Sequence, residues 1–569
     1  MRIHRSATKT AIEGQSPTGI AATGPQRQRL RTDVATVLLH WTVVLLLGAS
    51  VVTGFRIAAD AADARWSRWL APLLLQGEVS IWHVWSALGF VVTIVAYVVF
   101  LASARLTPRV MLDASRIRAL SSRDHRTRWQ SINVGIYWIG FLSLLALVAS
   151  GTAIYLNVEG LDFNTLTTIH RAAAWMMLSY MALHIGGQIV MGGATQIMKI
   201  LRPRLAYGVP AVVAAAAALA AGAGVSMLNQ GTISALPVNF VAVAPIVDGE
   251  AGDPAWTSAA PIIVHTSRGA NFPSGAVPVT IRAARDKTYA YFLFEWPDST
   301  RSQKHLPLQK TRAGWHVLET NYAIHDEDAY YEDKFAVLLA RTPRSAAAGT
   351  AHLGPRPLAD MPAPAGGRGL HYTNDGSLVD MWHWKSVRTG PIGQVDDNYF
   401  GPPGSAPTDS GERYTGGYHQ DTKSHGGFVQ NWKKLDTGVV QPLFLPRDPR
   451  VLHRLGQVDL RPDAGDKGEW WLPAALTVPY SADLDALFPI GTILPSVIIE
   501  GPFEGDRGDV RAVGRWANGQ WRLEVSRKLD TGSEYDVPIE DGIFLWVAAF
   551  DHAQTRHSQH LHPLRLKFQ

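Results

Sequence analysis

The sequence predicts a multi-domain chain: an all-α bundle of membrane-spanning helices, then an all-β sandwich of the immunoglobulin type with long loops. Three observations carry that expectation. Mean hydropathy is close to zero over 569 residues, yet residues 35–230 are strongly apolar and residues 237–569 are rich in Gly, Pro, Trp and Asp. The apolar half divides into five runs, each long enough to cross a bilayer. The second half shows short alternating or apolar runs between Gly/Pro-rich loops, with almost no helical periodicity. A chain of this length exceeds one ordinary core.

The elements follow in order. Residues 1–33 are polar, with Arg27, Arg29 and Arg31 just before the first apolar run, and read as a disordered cytoplasmic tail. The spans are expected at Val34–Ile57, Ile81–Leu101 and Ile132–Tyr155, then over a fourth run that includes Thr167–Val190, and at Ala206–Leu228. The 103–130 loop carries seven arginines against Asp113 and Asp124, and the 192–205 loop holds Lys199, Arg202 and Arg204. The loop at 58–80 is mixed, with Asp60, Asp63 and Glu78 against Arg65 and Arg68. The 156–166 loop has Glu159 and Asp162 and no Lys or Arg. The positive-inside rule therefore places the N-terminus in the cytoplasm and everything after residue 230 outside, in the periplasm of a Gram-negative cell.

Four histidines stand inside these apolar runs: His40, His83, His170 and His184. Ionisable residues in a span are costly and point to function. His170 and His184 are 14 residues apart, roughly 21 Å along a helix and within about 40° of one direction. The topology puts His40 and His184 at an inner level, His83 and His170 at an outer one. Bis-histidine ligation of two b-type haems needs such pairs, one imidazole per axial face. Arg56 and Arg171 lie near the outer level and are candidates to neutralise propionates. The competing reading makes the histidines interfacial or helix-packing polar groups. The chain has no cysteine, which excludes disulfides, iron–sulfur clusters and covalent c-type haem.

The segments LLHW, IWHVWSALGF and IHRAAAWMMLSYMALHI carry a resemblance. Residues 34–205 resemble the bacterial cytochrome b561 family, including the b subunits of nickel–iron hydrogenases. The resemblance implies a four-helix bundle with two b haems, exchanging electrons between quinone and a partner. Residues 206–229 then read as a fifth helix outside that core, and residues 230–245 as a linker.

In the outer half, residues 246–569, strands are expected at Val277–Ala284, Tyr289–Trp296, Lys334–Ala340, Ser496–Glu500, Val510–Trp516, Trp521–Lys528 and Phe544–Phe550. ANGQ between the fifth and sixth of these signals a hairpin. Residues 341–440 read as loops of functional length. The acidic HDEDAYYED, with Asp326, Glu327 and Asp328, reads as a solvated loop rather than a Ca²⁺ site. The pieces VDGEAGDPAWTSA, YFLFEWPDST, YYEDKFAVLL and MWHWK resemble the haem-binding subunit of ethylbenzene dehydrogenase and related gamma subunits of the dimethyl sulfoxide reductase family. That resemblance implies one further non-covalent b haem, with Met and Lys as axial ligands in the relatives. This chain departs from them. GTAHLGPRPL offers His352 and the C-terminal run offers His557, His560 and His562, so His352 with His560 is the expected pair, with Met381, His383 and Lys385 in reserve.

These readings combine into a membrane-bound multihaem cytochrome, an electron-transfer protein rather than a stand-alone catalyst. Its expected partners are quinone or quinol, a periplasmic redox protein or oxidoreductase, and the lipid bilayer. Nucleic acid is not among them: the net charge is only +5 and no basic run is interleaved with aromatics. No G-x-S-x-G, H-E-x-x-H, Walker or G-x-G-x-x-G pattern stands in a fitting context. The VDGEAGDPAWTSA opening also resembles sandwich modules that bind carbohydrate, so a ligand- or carbohydrate-binding or sensory sandwich on a haem-bearing anchor is the alternative.

Overall fold

The computed structural model describes residues 32–59, 70, 73–158, 160–201, 203–204, 208–273, 275–322, 325–344, 351–354, 369–405, 414–435, 438–454 and 468–569. The tail arginines, and Asp60, Asp63, Arg65, Arg68, Glu159 and Arg202 among the loop charges, lie outside the described residues.

The membrane half contains α1 (Val34–Ala59), α2 (Val79–Ser103), α3 (His125–Leu156), α4 (Phe163–Leu201) and α5 (Gly208–Gly231). Their ends are chemically marked. Asp33 accepts from Thr36 N at 2.6 Å before α1, and Asp124 accepts from Thr127 N at 2.9 Å before α3, each side chain satisfying a donor that the first turn leaves open. Asn157 ends α3 in the left-handed region at φ 49°. Among the described residues α1, α2, α3 and α5 are long and apolar enough to cross a membrane. The expected fourth span is present as helix α4, with non-helical backbone at Gly193. It is not among those four, since His170, Arg171, His184 and Gln188 interrupt its apolar run. Helix α1 packs on α2, and α3 on α4. The fifth helix also packs, against α2, through a cluster of Ala35, Phe100, Leu106 and Ala214.

The outer half is β-rich, but not an immunoglobulin sandwich. Among the described residues its main sheet has twelve strands: β1 (Ser234–Phe240), β2 (Ile262–Thr266), β3 (Val277–Arg285), β4 (Tyr289–Pro297), β5 (Lys334–Ala340), β6 (Val379–Lys385), β7 (Asp396–Phe400), β8 (Tyr418–Gln420), β9 (Arg511–Ala517), β10 (Gln520–Lys528), β11 (Phe544–Phe550) and β12 (Leu564–Phe568). They run in the open order β8-β7-β6-β5-β11-β12-β1-β3-β4-β10-β9, with β2 also on β3. Strand β1 lies parallel to both neighbours. An immunoglobulin sandwich is two separate antiparallel sheets; here one open mixed path supplies the core. Aromatic contacts between distant strands build it: Phe292 lies 5.8 Å from Trp382, and Trp384 lies 5.0 Å from Trp521. These tryptophans are core residues.

Two expectations need correction. Residues 230–245 are not simply a linker, because β1 forms there and enters the middle of the sheet. Residues 341–440 are not all loop: MWHWK is part of β6, buried on both faces, so it lacks the alternation by which a half-exposed strand is recognised. The ANGQ hairpin forms between β9 and β10, with Asn518 at φ 54° and Gly519 at φ 75°, two left-handed positions as a type I′ turn requires. A smaller sheet and core sit beside the main one, around Leu308, Trp315, Val440, Leu472 and Phe488.

Buried acids fasten the loops. Glu524 on β10 is 1 % exposed. It accepts from Asp248 N at 2.8 Å, Gly249 N at 2.7 Å and Trp256 Nε1 at 2.5 Å, which explains the VDGEAGDPAW pattern as a loop wound around one carboxylate. The outer domain also touches the bundle. Gly77 and Leu353 exchange backbone hydrogen bonds at 3.0 and 2.8 Å, His562 Nε2 donates to Tyr155 O at 2.6 Å, and the Asn157 amide donates to His265 O. Replacing Glu524 by Ala strands three donors at once. The expected outcome is a loss of about 3 kcal/mol or more, read as an earlier tryptophan-fluorescence transition in denaturant; an unchanged midpoint would remove the anchoring role.

Candidate functional site

In the bundle, the structure brings His83 on α2 and His170 on α4 together, with ring centroids 6.3 Å apart and planes at 77°. Each ring is tied by Nδ1 to a hydroxyl on a different helix: His83 to Thr53 at 2.9 Å, His170 to Ser150 at 3.0 Å. Those hydroxyls give their single hydrogen to the carbonyl one turn back, Thr53 to Ala49 O and Ser150 to Ala146 O, both at 2.6 Å. Toward the imidazoles they can therefore only accept. Each Nδ1 then carries the proton and each Nε2 keeps its lone pair, the tautomer of a metal ligand. A glycine follows each hydroxyl residue. A Cβ at Gly54 would lie 3.3 Å from His83 Cε1, and one at Gly151 3.1 Å from His170 Cε1. An iron joining two imidazoles at about 2 Å each, with about 1 Å more from nitrogen to ring centre, calls for centroids roughly 6 Å apart. Two neutral imidazoles with unprotonated Nε2 are the donor set that a b haem takes.

His40 and His184 are arranged differently. His184 and His40 are electrostatic neighbours. His184 lies between Tyr137, at 5.5 Å, and Tyr180, stacked at 5.6 Å, and its Nδ1 is buried without a hydrogen bond. Gln188 donates to Asn133 at 2.9 Å and Asn133 to Tyr137 at 2.8 Å, a polar chain beside this level. Arg56 is buried at 2 % exposure, whereas Arg171 is exposed. Arg268, from the outer domain, lies within electrostatic reach of His83, a basic residue that sequence reasoning missed because only the folded domain brings it there.

In the outer domain, the two histidines expected to pair are engaged elsewhere. His352 stacks on Tyr372 at 3.5 Å, and its Nε2 meets the Asn374 amide at 2.9 Å and Glu78 at 3.4 Å. His560 is buried, and its Nδ1 accepts from Val547 N at 3.3 Å; in the neutral ring the proton then sits on Nε2, the wrong tautomer for ligation there. Burial pushes His560 down to about 3. Lys385 forms a buried ion pair with Asp396, which Arg507 also holds at 2.5 Å. Burial brings that lysine down to about 8 against the pull of Asp396.

The structure instead brings His371 and His557 together, centroids 6.4 Å apart and planes at 34°. His371 stacks on Phe400 at 4.7 Å, and His557 lies 5.0 Å from Phe550. His557 Nδ1 donates to Ser558 O at 2.7 Å, again leaving Nε2 the lone pair. Burial and the neighbouring His557 and His352 lower His371 to about 3, so it stays neutral. No motif marks His371, which sits on a two-residue strand, Leu370–His371. His383 stacks on Phe550 at 5.3 Å with both ring nitrogens buried and unbonded, while Met381 belongs to an apolar cluster with Leu338 and Trp546. The Asp326 loop is not solvated: Asp326 and Glu327 are buried, and Arg556 holds Asp326 at 2.5 Å and Asp328 at 3.3 Å. A separate cavity of 660 Å³ is lined by Trp384, Trp471, Trp516, Arg301, Arg522 and Glu469, among others.

Comparisons with known proteins bear on both halves. Residues 31–201 match the prokaryotic cytochrome b561 family and residues 253–561 the ethylbenzene dehydrogenase family. No curated protein matches the chain. Among solved structures, a carbohydrate binding module of family 9 from Caldicellulosiruptor kristjanssonii in complex with cellotriose aligns at 8 % identity over 59 % of this chain and 95 % of that one, with a TM-score of 0.23. A putative carbohydrate-binding protein from Bacteroides uniformis aligns at 9 % identity over 59 % and 99 %, also at 0.23. Likeness that low carries no argument here. The first match implies b-haem association in a multi-pass prokaryotic membrane protein; over more than half its length the chain belongs to the ethylbenzene dehydrogenase family, fused to a cytochrome b561 domain.

Proposed function

We propose that this chain carries electrons across the bacterial inner membrane, between quinone or quinol and a periplasmic redox protein. Its N-terminus would be cytoplasmic and its β-rich half periplasmic. The observation that carries the reading is the 6.3 Å spacing of His83 and His170, each held by an accepting hydroxyl. Bound b haem supplies reversible one-electron chemistry. The chain supplies the rest. His83 with His170 and His40 with His184 are the ligands at two levels, and Thr53 and Ser150 fix the tautomers at the outer one. Arg268 and Arg56 would offset propionate charge there. His371 with His557 take the place that His352 and His560 hold in the sequence reading.

A second reading has its own observation, the tryptophan-lined cavity with its arginines and glutamates: indole faces flanked by fixed polar groups suit a sugar ring or similar polar ligand. In that case the outer half is a ligand-binding module on a haem-bearing anchor.

Pyridine haemochrome assays on the purified full-length protein separate the two. Three b haems per chain are expected. His83→Ala, His170→Ala and the double variant should each lose the same single haem, and His371→Ala with His557→Ala should behave alike at another. Two haems in the wild type, with glycan binding lost on Trp471→Ala, would favour the binding module; full haem content in His83→Ala would overturn the outer-level pair. Thr53→Val removes the acceptor behind His83. It is expected to weaken haem retention at that level about 10–100-fold, measured by haem transfer to an apo-globin scavenger; unaltered release would deny Thr53 its role.

A further inference from the structure

Three aspartates meet inside the main sheet: Asp380 on β6, Asp397 on β7 and Asp536 after β10 each place a carboxylate oxygen within 4.8 Å of the others. Asp380 and Asp397 are fully buried, and Asp536 is 8 % exposed. Arg527 neutralises part of this charge. It pairs with Asp380 and lies 3.7 Å from Asp536 Oδ1. Asp380 Oδ1, Asp397 Oδ2 and Asp536 Oδ1 still have no hydrogen-bond partner.

A fourth buried carboxylate lies outside that trio but adds to its charge. Asp421 is 3 % exposed, neither of its oxygens has a hydrogen-bond partner, and its charge is felt at Asp397. Buried anions without donors are expensive. The same fold satisfies buried acids elsewhere: Asp333 accepts from Ser302 N at 2.7 Å, His552 N at 3.1 Å and Trp521 Nε1 at 3.2 Å. Around Asp421 such donors are replaced by other carboxylates. Oxygens about 2.4 Å from a common centre lie at most about 4.8 Å apart, and Ca²⁺ takes six to eight such oxygens in loose geometry, whereas Mg²⁺ keeps its waters. There is also a way in: Asp536 lines a 320 Å³ cavity with Ser533, Glu534 and Val537, and Asp506 and Asp509 stand with it.

We propose that Asp380, Asp397 and Asp536 form a structural Ca²⁺ site, with Asp421 as a further negative charge beside it, that ties together β6, β7 and the segment after β10. The rival outcome is protonation, since burial and the surrounding carboxylates push Asp421 up to about 8 when no cation is bound.

The test uses the full-length protein in detergent, stripped with a chelator and titrated with Ca²⁺ alone. One Ca²⁺ per chain by elemental analysis is expected, with a rise of several degrees in the tryptophan-fluorescence melting temperature that Mg²⁺ does not reproduce. Asp397→Asn should abolish both the bound Ca²⁺ and the rise while leaving the calcium-free protein no less stable. If that variant does not fold, the wild-type stoichiometry and melting shift still decide. No bound Ca²⁺ in the wild type, or equal melting with chelator, Mg²⁺ and Ca²⁺, overturns the site and leaves the carboxyls neutralised by protons. The outcome does not depend on the haem count.

Discussion

An imidazole set among apolar helices needs a partner for each nitrogen, or the bundle bears the cost of a buried orphan. At the outer level this is met twice in the same way. A hydroxyl whose only hydrogen is committed to its own helix accepts from Nδ1, and the next residue is glycine, so the ring can lie against the helix. Helix α1 supports the histidine of α2, and α3 that of α4. Packing of the two helix pairs thus fixes ring position and proton position together. What remains at each ring is one unshared electron pair.

The outer domain answers a similar problem with carboxylates. Glu524 gathers the 248–256 loop, and Glu332 accepts from Val387 N at 2.6 Å and Arg388 N at 3.0 Å while paired with the Arg388 guanidinium. Burial alone would raise Glu332, but Arg388 and His305 hold it well below the usual carboxylate range. The 248–256 and 387–388 segments are held to the sheet because buried acids receive their amides. Among the described residues, the Asp380 group is one place where this arrangement runs short of donors, and Asp298 Oδ2 is another.

Much of the bundle was legible because its information is local. Apolar runs located the helices, although α3 begins earlier than expected and α4 continues to Leu201, through most of the 192–205 segment read as a loop; His83 and His170, read as neighbours, lie 6.3 Å apart. The strand at Phe544–Phe550 was equally readable from its composition, as was the Asn518–Gly519 turn. What stayed hidden depends on tertiary context. Nothing in GLHYTND marks His371, whose partner lies 186 residues on. His352 matched a position in the relatives, but its nitrogen is satisfied by Asn374 and Glu78, the latter from the bundle. β6 looked like loop because its two faces are both buried, and β1 like linker because its neighbours β12 and β3 come from far along the chain.

The path from α5 to β1 has a mechanical consequence. Only Thr232 and Ile233 separate the end of the helix at Gly231 from Ser234, and β1 is the strand through which β12 and β3 are joined in the sheet. The outer domain is therefore not on a leash. A turn of α5 about its axis is passed through two residues to β1, and from there to the middle of the sheet, so helix and sheet move as coupled levers.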